Sequence, residues 1–466
     1  MKKILIATVL LGAISCNKVL ETSPQQELFT IKDYAQLQDA MRGAYSALKS
    51  ASYYGGGAQS ASAWSFMPDI MGEDFIEAYE SLGNWRTQSE WRYAEDFAPV
   101  NSAFAQGYTV IARANDVLRF VGDYETGATM NGAKQIRAQA LALRAHAHFD
   151  LMRYFAQSYR RNSDSLGVVY MKSIDPQDPF QRPSRGTVKQ NYDEIYKDLT
   201  DAAALFQQAG NPDNTNRIFI DETVVHAMRA RISLYATEWQ DAIEASTKVI
   251  NAIPLATQAE YPNIWTDATT AEVVWAVASD ATMFPGFANT GNNANYRVAT
   301  PISNIIFGAQ GGIRSHSNAI RRNQPGIGGV QRTVLYKYEG AKNFKVFRTA
   351  EMYLIRAEAK YMMNNATALD DLNALRAARG ATVGSETGVN LLNAIYLERR
   401  IELIGEGHRW FDIKRTTRTI NRTECGSSGQ SLSTICSVGP NSRSWIWPIP
   451  ITQINLNPNL AQNPGY

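Results

Sequence analysis

Cysteine and histidine are scarce in this 466-residue chain, with three of the first and five of the second. A disulfide-stapled scaffold would need more cysteine than that. His146 and His148 are two apart, so on a helix they point to different sides and cannot hold one metal ion together. No two of the five histidines stand at ligand spacing on one face, which argues against a catalytic transition metal. Charge of one sign is lacking as well. The 46 basic and 44 acidic residues leave a formal net charge of +2, whereas nucleic-acid binders carry a strong basic excess. The chain has neither a phosphate-binding glycine loop nor a serine-nucleophile elbow. No run of roughly 20 apolar residues, the length of a lasting membrane span, occurs either.

What is present begins with Met1, Lys2 and Lys3, followed by an apolar run from Ile4 to Ile14. Two positive charges before a short apolar run is the layout of a secretory signal. The run ends Leu11-Gly12-Ala13-Ile14-Ser15-Cys16, and small residues just before a cysteine resemble a bacterial lipobox. That resemblance implies a signal peptide over 1–15, cleavage before Cys16 and lipidation of its sulfur. Residues 16–29 are polar and mixed and read as a lipid-anchored tether. The rest, 30–466, reads as a single domain.

Hydrophobic content of 44% suits a globular chain with a sizeable core. If lipid consumes Cys16, then Cys425 and Cys436 remain, in a Gly/Ser-rich loop. An exported location permits a disulfide between them. A metal pair is the poorer reading, since that loop holds no histidine.

Helical spacing dominates the pattern. Tyr34, Leu37, Met41, Tyr45 and Leu48 step by three and four, with Asp33 placed to cap them. Similar sets run over Phe104–Val121, Ile136–Tyr154, Tyr192–Phe206, Val224–Leu234, Trp239–Val249, Phe347–Met363, Ala368–Ala378 and Asn390–Ile404. The helices pair across short breaks. Ala227, Ala230, Ala242 and Ala245 sit where paired helices would touch, as in tetratricopeptide-type hairpins. The expected fold is therefore mainly α: a tetratricopeptide-like helical scaffold with long irregular loops and a few short strands. The loops fall at about 52–100, 280–342 and 416–444, and Val273–Val277 and Val330–Tyr336 have strand character.

Long loops in a compact protein are usually functional. Their aromatics are the candidate ligand contacts: Trp64, Tyr79, Trp85, Trp91, Phe284, Phe287 and Tyr296. Flat rings pack on the C–H faces of sugars, and Asn289, Asn292, Asn293, Asn295, Arg297 and Arg314 supply amide and guanidinium groups for hydroxyls. Trp445 and Trp447 flank a proline-rich turn and read as core.

The C-terminal half carries the clearest resemblance. The segments Phe347-Arg348-Thr349-Ala350-Glu351-Met352-Tyr353-Leu354, Asn373-Ala374-Leu375-Arg376, Glu398-Arg399-Arg400-Ile401-Glu402-Leu403 and Glu406-Gly407-His408-Arg409-Trp410-Phe411-Asp412, with the closing Trp447-Pro448-Ile449-Pro450 and Asn463-Pro464-Gly465-Tyr466, resemble the SusD/RagB family of Bacteroidetes outer-membrane lipoproteins. Tyr34–Leu48, Arg144-Ala145-His146 and the Trp239 hairpin fit more loosely. The resemblance implies a surface-exposed nutrient-binding protein that is not an enzyme. Such a protein binds oligosaccharide or polysaccharide and caps a TonB-dependent transporter of the SusC type as its lid. Alternatives are a peptide carrier of the same transporter type, a surface glycoside hydrolase using Glu398 or Glu402, and a repeat adaptor without a small ligand. For Glu398 and Glu402, the competing reading is an ion-pair network locking their helix to Arg409 and neighbours. No cofactor is expected; a structural calcium ion stays open, because oxygen ligands in loops leave little trace in a sequence.

Overall fold

The computed structural model describes residues 30–55, 62–78, 81–157, 159–173, 181–279, 295–326, 330–426 and 431–466. Among these, nine helices are longer than seven residues: α1 Tyr34–Leu48, α2 Ala98–Phe120, α3 Met130–Phe155, α4 Val188–Ala209, α5 Glu222–Ala236, α6 Trp239–Ala252, α7 Thr349–Met362, α8 Ala368–Ala378 and α9 Gly388–Glu402. Each packs on the next, from α1 through α6 onto α7, and α7 then meets both α8 and α9. This is the stacked-hairpin arrangement that the alanines predicted. Ala227, Ala230, Ala242 and Ala245 are all buried where α5 and α6 meet.

Local chemistry sets the helix starts. The Asp33 side chain accepts the Gln36 N–H at 2.8 Å at the head of α1. Thr187 and Gln190 form a reciprocal capping box on α4, and Asp221 caps α5. The α2–α3 pair is tight because of Gly107, where an added Cβ would lie 2.6 Å from Leu151 Cδ2. From Ala138 to Phe155 every residue of α3 is buried, so this helix is the axis of the core. Its charges are paired inside, as with Arg144, whose guanidinium donates to both Asp198 oxygens at 2.8 Å.

Among the described residues six strands are three residues or longer: β1 Phe75–Glu77, β2 Val273–Val277, β3 Tyr296–Val298, β4 Ile320–Pro325, β5 Gln331–Leu335 and β6 Phe344–Arg348. Strands β1-β3-β5-β4 form one sheet in that order, and β2 pairs antiparallel with β6. The β2 span matches the sequence expectation. Phe347 does not: it lies in β6, and the helix begins only at Thr349, whose N–H donates to the Glu272 carbonyl. The stretches expected to be irregular, 52–100 and 280–342, hold all four strands of the larger sheet. The main apolar cluster runs from Ile31 to Ile449. Among the described residues no helix is long and apolar enough to cross a membrane.

Candidate functional site

Two segments 220 residues apart meet at one end of the β1–β3 ladder. The register sets Phe75 against Val298 and Glu77 against Tyr296. One step further, the Ala78 N–H donates to the Asn295 carbonyl at 2.9 Å. The chain leaving β1 and the chain entering β3 therefore share one rim. On that rim Ser81 to Arg86 makes a turn. The Ser81 hydroxyl accepts the Gly83 N–H, and Gly83 takes φ +80°, a conformation that favours glycine.

This turn presents mixed chemistry. Leu82 is 82% exposed, an unusual degree for a leucine. The Asn84 and Asn295 amides are half-buried beside it, with Asn84 Nδ2 3.5 Å from Asn295 Oδ1. Trp85 follows in the left-handed region at φ 58°, which a bulky residue adopts only when its surroundings impose it. Its ring lies edge-on to Phe66 and tilted against Tyr296, with centroids at 4.8 and 6.3 Å. The Trp85 indole N–H is buried with no hydrogen-bond partner. Tyr296 donates to the Asn84 carbonyl at 3.4 Å, and burial pushes its phenol up. Arg86 anchors the turn, gripping the buried Glu77 carboxylate at 2.7 and 2.9 Å. The outcome is a rim of one apolar side chain and two amides over an aromatic floor.

Of the aromatics proposed from sequence, Trp85 and Tyr296 come together here, but as floor rather than surface, at 7% and 1% exposure. Trp64 belongs elsewhere. It is tilted against Tyr53, donates to the Asp150 carbonyl at 2.9 Å and is buried in the core. Trp91 is core too, parallel to Trp410 and donating to the Met71 carbonyl. Trp445 and Trp447 pack inside, against Trp410 and Tyr154. Arg297 is buried and pairs with Glu424. Cys16, Tyr79, Phe284, Phe287, Asn289, Asn292 and Asn293 lie outside the described residues. Cys425 and Cys436 are joined by a disulfide. Leu82 and Asn84 were missed by sequence reasoning, which ranked aromatics first. An apolar residue among Ser, Gly and Asn was the available signal.

Arg314 is likewise buried, with its guanidinium taken up by protein carboxylates. Its guanidinium donates to Glu402 at 2.6 Å and to Glu398, while Glu398 also takes Arg376. Glu402 accepts further from Arg348 at 2.8 Å and from Arg379 at 3.0 Å. Burial alone would raise the Glu402 carboxyl. Arg379, Arg314 and Arg348 outweigh that and hold it well below the usual carboxylate range. Glu398 and Glu402 thus sit in an ion-pair network, as one reading expected. Arg409 is not part of it, and pairs instead with Glu73 and Asp74. Among the described residues, no group of three or more His, Cys, Asp and Glu side chains is placed to hold a metal ion.

Comparison with known proteins covers most of the chain. Residues 321–466 match the SusD family model. Residues 20–234 match a second model, described as starch-binding and associating with the outer membrane. SusD-like protein P2 of Formosa agariphila is 22% identical over 533 aligned positions, covering 100% of this chain and 99% of that one. SusD-like protein P38 of the same organism is 31% identical over 135 residues, a match spanning 27% of this chain and only 25% of its own length. The crystal structure of a SusD superfamily protein from Bacteroides thetaiotaomicron superposes with a TM-score of 0.79 at 23% identity, over 92% of this chain and 99% of that one.

Proposed function

We propose that this chain, which belongs to the SusD/RagB family, is a glycan-binding lipoprotein that takes an oligosaccharide on the Leu82–Arg86 rim. Anchored to the outer membrane through Cys16, it closes as a lid over a TonB-dependent transporter of the SusC type and hands the ligand on. The starch-binding description of the matched family supports the ligand class. The observation that carries the reading is the β1–β3 register, which brings Leu82 and the amides of Asn84 and Asn295 to one rim. An exposed apolar side chain beside planar amides suits a sugar, whose C–H faces and hydroxyls need those two kinds of partner. Chemistry at the rim is non-covalent.

Titration calorimetry with maltoheptaose tests this. Each lost hydrogen bond or apolar contact is worth about 1 kcal/mol, so the Leu82→Ser/Asn84→Ala double variant should bind roughly thirtyfold more weakly at an unchanged melting temperature. Unchanged affinity overturns the site. Trp85→Ala is the poorer test, since emptying a buried indole site costs about 3–5 kcal/mol of stability by itself. Co-purification of peptides with the native protein, and no heat with any neutral or acidic glycan, would replace the ligand class. For the partner, a barrel transporter should co-purify with the tagged protein from membranes.

A further inference from the structure

A large cleft lies away from this rim. Its volume is about 770 Å³, between the Tyr235–Trp239 corner joining α5 to α6, the segment Lys414–Thr417, and the chain's last turns around Arg443 and Gly465. That volume falls within the range that holds small ligands, roughly 300–1,000 Å³. Its walls combine two kinds of group. Aromatic rings come from five residues, among them Trp239 and Tyr396, both half-buried. Four basic residues, Arg160, Lys414, Arg415 and Arg443, stand against one acidic residue, Glu358.

That one carboxylate is already used. Arg415 grips both Glu358 oxygens, at 2.5 and 2.8 Å, and donates to Asp412 as well. Lys414 has no such partner among the described residues. Its ammonium donates to the Arg153 carbonyl at 2.8 Å and lies 4.4 Å from the centre of the Tyr159 ring. Burial holds it well below the usual lysine range, with no acidic neighbour to offset that. A desolvated ammonium at the wall of an aromatic cleft gains from an anion delivered there. On the same wall the buried Tyr235 hydroxyl has no hydrogen-bond partner.

We propose that this cleft is a second ligand site, and that it takes an acidic oligosaccharide. The sugar ring packs on Trp239 and Tyr396, and its carboxylate meets Lys414. The ligand class rests on the glycan reading above, while the site itself stands on different residues.

Calorimetry on the mature chain separates the two. Tetragalacturonate should bind, and binding should weaken as salt rises from about 50 to about 300 mM. Lys414→Met should weaken it at least about tenfold and Trp239→Ala about fivefold, with Lys414→Arg retaining most of the affinity. Maltoheptaose binding at the rim should stay unchanged in all three variants. Tetragalacturonate binding without response to maltoheptaose would remove the rim site and leave this one standing. The proposal falls if tetragalacturonate gives no heat, or if its affinity survives in Trp239→Ala and in folded Lys414→Met. Equally tight binding of hexaglutamate overturns the sugar assignment.

Discussion

Glu402 is the residue on which the buried charge of the C-terminal half converges. Three arginines, Arg314, Arg348 and Arg379, reach its two oxygens, and all four side chains are fully enclosed. Taking one partner from such a cluster strands charge in a place water cannot reach. Glu402→Ala should therefore cost about 3–5 kcal/mol, read as a large fall in the urea midpoint. Survival of the midpoint would mean that the network is not what holds α9. Histidines act in the opposite sense, by being kept neutral. His148 donates from Nδ1 to the Arg144 carbonyl at 2.8 Å, and its Nε2 accepts the Met171 N–H at 2.9 Å. Both ring nitrogens are used only while the imidazole is neutral. Burial lowers His148 to about 3 and His146 to about 4, from an ordinary 6.5. Below pH 6.5 the unfolded chain takes up protons that the folded one refuses, so stability falls. The loss is about 1.4 kcal/mol per pH unit for each histidine, and it continues down to pH 4, where His146 begins to charge. Burial also holds His408 and His226 down, so denaturation midpoints between pH 7 and 4 measure a shared slope, from which His148→Gln should remove one histidine's part, about 1.4 kcal/mol per pH unit. A slope unchanged in that variant would place the acid sensitivity elsewhere.

At the scale of elements, legibility followed the range of the interaction. Helices are local objects, so the spacing of Tyr34 to Leu48 with its Asp33 cap yields α1 to the residue. The β6–α7 junction shows where that reasoning stops. Phe347 fits the helical spacing of Leu354, but it also belongs to Phe344–Arg348, whose pairing with β2 is fixed by residues some 70 positions earlier. The candidate rim is non-local in the same way. Nothing near Leu82 announces that Asn295 lies opposite, and nothing in a tryptophan's identity separates core Trp64 from floor Trp85. Cys425 and Cys436 were readable because a disulfide depends on chemistry and compartment as well as on fold. Their bond closes a loop beside the short ladder of Ile420–Asn421 with Ser437–Val438. Cys436→Ser should cost about 2–3 kcal/mol by the chain-entropy argument, with the same loss in wild type under reductant. No change in either would show that the ladder and the Glu90–Thr434 hydrogen bonds hold this segment alone.

At the scale of the molecule, the last twenty residues are part of the core that the N-terminal half builds. The Trp447 N–H donates to the Tyr154 carbonyl at 2.9 Å, and its ring stacks on Tyr154 at 3.8 Å between centroids. Asn463 donates to the carbonyls of Phe155 and Trp447 at 2.9 and 2.7 Å, tying the end of α3 to the tail. Arg185 donates to the Ala461 carbonyl, while Asn457 and Asn459 donate to those of Pro183 and Arg182. An array of helical hairpins can lose a terminal repeat and keep the rest, because each repeat leans only on its neighbours. This chain has instead sewn its end back onto its central helix. Removing residues 447–466 empties the Trp447 site, worth about 3–5 kcal/mol, and strands the Tyr154 carbonyl at the end of α3, costing about 1–3 kcal/mol more, while Phe155 keeps only the Arg185 guanidinium. Against a typical total of about 5–15 kcal/mol, that is enough to unfold the whole. Calorimetry on residues 30–466 should give one cooperative transition, and residues 30–446 should give none. A truncated chain that still melts cooperatively near the full-length temperature would show that the hairpin array stands by itself and the tail is only laid upon it.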